Sequence, residues 1–349
     1  MSQLWLSINC GGNHNIVLRR LETVSYIPYF VVYLFLAYRF EVNTDWPTYI
    51  EHYSNIDKNF NITNFGSEYI FWLWMYVFYH LGLGFYEFQA SSTIVDLALI
   101  YYIVKNYKFG LIFLLVYLIF NGGVGFRLEV NLMRQTKSIL LFCLSIKYLV
   151  EGRFFKYSSI NILGSLFHVT SLIYIPLYFV FKIKCSSKAY SAIYILGAFI
   201  FIFQVDFLSN IMGILGEDIG RISYLTRIYI ESDIFSQRKG FSLAFFERSL
   251  IFFLVLFLMK KVNVIYNHAI LNVSFCYLFV YLFFSEMIIF SDRFSLLFLP
   301  GIWLSLCLIY RSSSLVGKFY FLASLFIYAV IKHFGFTPPY YLEYNQFIF

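Results

Sequence analysis

Long apolar runs alternate with short polar segments along most of the chain. A helix that crosses a bilayer needs about 20 apolar residues. Runs at 21–38, 67–83, 87–104, 109–121, 138–150, 157–181, 189–209, 243–259, 266–284, 294–310 and 315–334 are candidate spans. They predict an all-α, polytopic integral membrane protein with about 10–12 transmembrane helices. Several runs are too short to cross upright, so they must tilt, break or lie against protein instead of lipid.

The polar segments fall into two kinds. Short basic ones carry Arg19-Arg20, Lys105 with Lys108, Lys147 to Lys156, Lys182 to Lys188, Lys260-Lys261 and Arg311 to Lys318. Longer ones, at 39–66, 121–137, 210–242, 285–293 and 335–349, mix both charges with Asn, Gly and Tyr. Basic loops stay on the cytoplasmic side, so the first kind is expected inside and the second outside. The N-terminus lacks a basic region ahead of an apolar one, and a short cytoplasmic start followed by a signal anchor is expected. No internal repeat interrupts the pattern, and residues 1–349 are expected to form a single integral membrane domain.

Inside–outside alternation fails at two places. Two runs, 67–83 and 87–104, stand where one is needed; either 67–83 lies in the interface or Lys105 and Lys108 face outward. The run 157–181 has basic residues at both ends, so it should enter and leave on the same side. A re-entrant or broken helix repairs the count, with His168 near its outer tip and Thr170-Ser171 at the turn. Irregular backbone at that depth is tolerated only where protein or a cavity surrounds it.

Composition agrees with lipid as the solvent. Of 349 residues 60% are hydrophobic and only 13% charged, with a mean hydropathy of +0.71. Soluble domains run near 45–50% apolar and about 25% charged. The net charge of +7 is spread over small loop clusters, which argues against nucleic acid as a partner. Five scattered cysteines and the absence of C-x-x-C, G-x-S-x-G or H-E-x-x-H give no disulfide framework, metal site or hydrolase motif. Neither a metal nor a cofactor is expected.

Most polar chemistry lies in the segments assigned outside. The first holds Arg39, Asp45, Trp46, Tyr49 and Tyr53; the next holds Arg127, Glu129 and then Arg134-Gln135 at the head of an apolar run. The large one carries Arg221 and Arg227, a later one Asp292-Arg293, and the C-terminal segment Tyr340. Ionisable groups within apolar sequence are functional candidates by default. Arginine on the outer side needs an anionic partner, and its planar fork suits phosphate or carboxylate. Plainer roles stand beside each: Arg134 pairing with Glu129, His168 as a core histidine, Asp45 as a helix N-cap helped by Pro47, Arg293 paired with Asp292, and Arg221 and Arg227 in a solvated loop.

These motifs together resemble the EpsG-like group of Wzy-type polysaccharide polymerases of bacterial membranes. The resemblance rests on Arg39, Asp45, Tyr49 and Tyr53 in the first outer segment, and on Arg134-Gln135 opening a later span. It continues with Phe167-His168 followed by Thr170-Ser171 and Pro176, and with Arg293 ahead of an apolar run. The family usually has glycine just before the Asp; here Asn43-Thr44 precede Asp45 and Trp46-Pro47 follow it. The resemblance implies a multi-pass enzyme of the bacterial inner membrane, active on its periplasmic face. It would polymerise undecaprenyl-pyrophosphate-linked oligosaccharide repeat units into O-antigen or capsular polysaccharide, with a chain-length regulator protein as a further partner. Arg134, His168 and Asp45 are the expected catalytic residues. Arg127, Gln135, Arg293, Tyr49, Arg221, Arg227 and Tyr340 are expected to bind substrate, and Trp46, Tyr49 and Tyr340 to stack on sugars. A flippase or transporter of the same lipid-linked oligosaccharide, an O-antigen ligase or a membrane O-acyltransferase are the alternatives. Polar groups crowded on one side, without two related halves, favour an enzyme over a transporter.

Overall fold

The computed structural model describes residues 26–37, 46–56, 68–121, 127–206, 238–260, 262, 267–288 and 290–332. Helix is the only regular secondary structure among these residues, with no strand among them. In chain order the helices are α1 (Tyr26–Ala37), α2 (Trp46–Ser54), α3 (Tyr69–His80), α4 (Phe85–Tyr107), α5 (Leu111–Ile119), α6 (Arg127–Asn131) and α7 (Met133–Val150). There follow α8 (Phe154–Ser165), a 3₁₀ turn (Val169–Ile173), α9 (Tyr174–Phe181), α10 (Ser187–Phe203), α11 (Leu243–Met259) and α12 (Asn267–Phe283). A π-helical turn (Phe290–Phe294), α13 (Leu299–Ser312) and α14 (Leu315–Val330) complete the described chain.

Each predicted apolar run that falls in described residues contains a helix, but the ends move. Helix α7 starts five residues before the run at 138–150, because Arg134, Gln135 and Lys137 lie inside it and not in an outer loop. No helix among the described residues is long and apolar enough to cross a membrane. Helices α10, α11 and α12 have 17 residues each, about 25 Å at 1.5 Å per residue, short of a hydrocarbon core of about 30 Å. Helices α4 and α7 are longer, with 23 and 18 residues, yet carry Glu87, Asp96 and Lys105 or Arg134, Lys137 and Lys147. Among the described residues, then, no single helix provides one of the ten to twelve crossings that the apolar runs predict.

The chain between Phe154 and Phe181 is broken, as the alternation of loop charge requires. Helix α8 stops at Ser165, His168 is extended (φ −153°, ψ 122°), and one 3₁₀ turn leads into α9. Gly164 makes the reversal possible: its carbonyl accepts the amides of Phe167 (3.1 Å) and His168 (3.0 Å), and a Cβ there would collide with the Ser171 hydroxyl. Tyr174 pins the returning strand of chain. Its ring stacks on Phe142 of α7 at 3.7 Å, its carbonyl accepts from Tyr157 (2.7 Å), and its hydroxyl donates to the Leu297 carbonyl (2.9 Å). The far end of α9 is capped by Asn272, whose side-chain amide donates to the carbonyls of Phe181 (2.9 Å) and Ile183 (2.7 Å).

Helix α7 lies at the centre. It packs on α4, α8 and α13, and Phe142, Cys143 and Ile146 on it are fully buried. Helices α12 and α13 form another close pair, because Gly301 brings the two backbones together. A Cβ at Gly301 would run into the main chain of Val273 and Ser274, which cannot swing aside as a side chain can. Gly301→Ala is accordingly expected to lower stability by roughly 1–3 kcal/mol, read as a fall in the thermal midpoint of the purified protein.

A smaller aromatic cluster stands apart from the main core. Trp46, Tyr49 and Tyr53 of α2 are buried against Phe71, Trp72 and Met75 of α3 and Phe85 and Phe88 of α4, with Met133 of α7 closing it. Residues 46, 49 and 53 share a helix face by their spacing. Trp46 donates to Gln89 (3.0 Å), and Gln89 donates to the Ala37 carbonyl (2.9 Å), which ties α2 to α4 and to the end of α1.

Candidate active site

One wall of the aromatic cluster holds a carboxylate, Glu68, at the residue before α3. Three distant parts of the chain meet on it. Arg134, in the first turn of α7, donates to its Oε2, and His168 at the break between α8 and α9 engages its Oε1 through Nδ1. The Val169 amide also donates to Oε1, at 3.4 Å. The backbone joins the same elements, because the Ile70 amide donates to the Leu166 carbonyl at 3.1 Å. The corner is partly open: the side chains of Glu68, His168 and Arg134 are 11%, 22% and 29% exposed.

Aromatic rings fix the arginine. Its Nε donates to the Tyr49 hydroxyl at 3.3 Å, and its guanidinium carbon lies 5.3 Å from the Trp72 ring centre, 5.6 Å from Tyr49 and 5.9 Å from Phe71. Rings at this range favour a cation and limit its rotamers. A guanidinium that gives Nη1 to a carboxylate and Nε to a hydroxyl keeps further N–H groups for a second anion.

Gln135 extends the site toward the π-helical turn by donating to the Arg293 carbonyl at 3.3 Å. Within that turn Asp292 does not pair with its neighbour Arg293. It accepts from Lys239 (2.8 and 3.0 Å) and faces Arg248 of α11 at 3.6 Å. Arg248 is buried, donates to Ser295 (2.8 Å) and sits 4.0 Å from the Tyr281 ring centre and 4.8 Å from that of Tyr277.

Of the residues expected at the site, Arg134, Gln135, His168, Tyr49 and the backbone of Arg293 meet in this region. Tyr49 and Trp46 are buried at 5% and 4% exposure, so they support the site from behind and do not offer faces for sugars to stack on. The pairing of Arg134 with Glu129 is replaced by Arg134 with Glu68; Glu129 instead accepts from Tyr117. Helix α6 contains Arg127, whose side chain lies outside the described structure, as do residues Asp45, Arg221, Arg227 and Tyr340.

Sequence reasoning missed Glu68, which joins Arg134 and His168 across 66 and 100 positions. It also missed Lys137, one turn beyond Arg134. Lys137 is fully buried and binds Asp96 (2.9 Å), Ser92 (2.6 Å) and the Met133 carbonyl (3.1 Å). Acid–base side chains held by one another in apolar surroundings are a usual signal of both, yet nothing local in the sequence pairs them.

The helical fold and this ion-paired corner define an all-α protein with a partly exposed Arg–Glu–His site between helices. The chain belongs to the EpsG family, whose sequence pattern matches residues 22–346. That membership gives it a role in polysaccharide biosynthesis and a membrane location. No curated protein and no solved structure matches the chain.

Proposed function

We propose that the chain is a membrane glycosyltransferase of the bacterial inner membrane. On the periplasmic face it polymerises undecaprenyl-pyrophosphate-linked repeat units into O-antigen or capsular polysaccharide. The observation that carries this reading is the meeting of Arg134 and His168 on Glu68 in one partly exposed corner. A glycosyl transfer from lipid pyrophosphate needs a cation for the departing diphosphate and an oriented acceptor hydroxyl. Arg134 supplies the first, and the Glu68–His168 pair supplies a polar seat for the second. The leaving group is already good, so positioning and charge stabilisation carry most of the catalysis. Gln135, which donates to the Arg293 carbonyl, and Arg293 itself are the contacts proposed for the acceptor or the second lipid.

An apolar exterior supports the membrane setting. Ile27, Phe30, Phe155, Phe203, Leu250 and Phe319 are all more than half exposed, on helices from both ends of the chain. Surface of this kind over most of a protein needs lipid or a partner to cover it. The crossings are then made by short helices that thin the bilayer around them or pack against one another, while the broken segment 154–181 dips in and returns to the same side.

The product tests the reading. Purified protein given lipid-linked repeat units should yield a ladder of polymer still attached to lipid. Transfer of one preformed glycan without a ladder would identify a ligase, an added ester mass an acyltransferase, and movement without any new bond a flippase; each of these would refute the polymerase.

A further inference from the structure

We infer that Glu68 is the group that takes the proton from the acceptor hydroxyl, and that donor pyrophosphate readies it by turning the fork of Arg134 off its Oε2. This rests on the polymerase reading above. In the structure both carboxylate oxygens are occupied. Oε1 is held by His168 and the Val169 amide, and Oε2 by Arg134. These two attachments differ in kind. His168 and Val169 belong to the break after α8, which Gly164, Tyr157 and Tyr174 anchor to the core. Arg134 is a long side chain, the most exposed of the three, and it holds Glu68 by its outer nitrogen Nη1 while Nε rests on Tyr49.

A diphosphate offers more negative charge and more acceptor oxygens than one carboxylate, and guanidinium binds it in bidentate fashion. A donor entering the corner therefore competes with Glu68 for Arg134. The Tyr49 hydroxyl and the rings of Trp72 and Phe71 keep the guanidinium in place while its fork changes partner. When the fork turns to the diphosphate, Oε2 is left with a free lone pair, while Oε1 stays on His168 and Val169 so that the carboxylate keeps its orientation. The acceptor hydroxyl oxygen then attacks the anomeric carbon. The bond from that carbon to the pyrophosphate oxygen breaks, its electron pair leaves with the pyrophosphate beside Arg134, and the hydroxyl proton passes to Oε2 of Glu68. The proton returns to the departing diphosphate or to water. An empty site keeps its base masked by Arg134, so acceptor alone is not activated.

Full-length protein in detergent or nanodiscs tests this with undecaprenyl pyrophosphate as binding probe and lipid-linked repeat units for turnover. Glu68→Gln should slow polymerisation by about 10²–10⁴-fold, the range for losing a general base. It should bind undecaprenyl pyrophosphate at least as tightly as wild type, because the competing charge is gone. Equal loss of binding and turnover in a monodisperse Glu68→Gln protein would make Glu68 a mere anchor and overturn the proposal, as would wild-type turnover. If Glu68→Gln fails to fold, Glu68→Asp decides. It keeps the charge but withdraws the carboxylate by one methylene, and it should lose at least tenfold in turnover with pyrophosphate binding unchanged; wild-type turnover would overturn the role. A wild-type protein that binds the probe but forms no polymer would sink the polymerase reading itself, whereas a fully active Glu68→Gln beside an active wild type would sink only the role of Glu68.

Discussion

Arg134→Ala is expected to reduce polymer formation by about 10²–10³-fold, the usual loss when a positioned donor to developing charge is removed. The defect should lie in the donor. Binding of undecaprenyl pyrophosphate should weaken in parallel with turnover, unlike Glu68→Gln, where the two separate. Arg134→Lys should restore little. An ammonium is a point charge on a flexible stem, and it cannot span from Tyr49 to Glu68 as Nε and Nη1 do. It would also lose the flat face that meets Trp72, Tyr49 and Phe71. The measurements are initial polymerisation rates and pyrophosphate binding on matched amounts of monodisperse protein. Wild-type-length ladders from Arg134→Ala at normal expression would remove the diphosphate role.

Tyr49→Phe separates holding from chemistry. It deletes the hydroxyl that accepts from Arg134 Nε but keeps the buried ring. A hydrogen bond to a charged group contributes about 1.5–3 kcal/mol, and this one is long at 3.3 Å, so a loss at the low end of that range, roughly tenfold in turnover, is expected, less than for Arg134→Ala. Folding should be unchanged, because the aromatic cluster stays packed. Rates and thermal midpoints measured side by side check both halves.

Much of the helix layout was legible because lipid-scale apolar runs are a local property of sequence. The break around His168 was legible for a different reason: basic residues at both ends of one run cannot be reconciled with a single crossing. The start of α7 was not legible, since Arg134, Gln135 and Lys137 look like loop when read alone. They are tolerated in a helix because Glu68, Asp96 and Ser92 come to meet them. Glu68 itself was hidden at the edge between a mixed loop and an aromatic run. Its partners lie far along the chain, and no periodicity reports a contact of that separation. Adjacent charges misled in the opposite way. Asp292 and Arg293 read as a pair, yet successive positions on a helical turn point apart, so Asp292 serves Lys239 and Arg248. Asp45, Arg221, Arg227 and Tyr340 fall beyond the described residues and are proposed for the same site on the sequence alone.

Lys137→Met is expected to destabilise the protein by about 3–5 kcal/mol, the cost of leaving one member of a buried ion pair without its partner. Lys137 has no exposed surface, and its ammonium is surrounded by Asp96, Ser92, the Met133 carbonyl and the Trp74 ring at 5.7 Å. Methionine matches the stem but not the charge, so the Asp96 carboxylate would stay buried among apolar helices, where ionised groups are costly. The double variant Lys137→Met with Asp96→Asn removes both charges and should recover a large part of the loss. Thermal unfolding of the purified proteins reads the effect; for an irreversible transition the apparent midpoint at one scan rate is compared. The same double variant also tests what the pair is for. The bond from α7 to α4 lies one turn from Arg134 but does not touch Glu68 or His168. If it serves only to hold α7 in register, the recovered double variant should polymerise at close to the wild-type rate. A double variant that is stable yet slow would instead make the Lys137–Asp96 charge pair part of the field that sets Arg134, because removing it leaves the packing but changes the electrostatics felt one helical turn away.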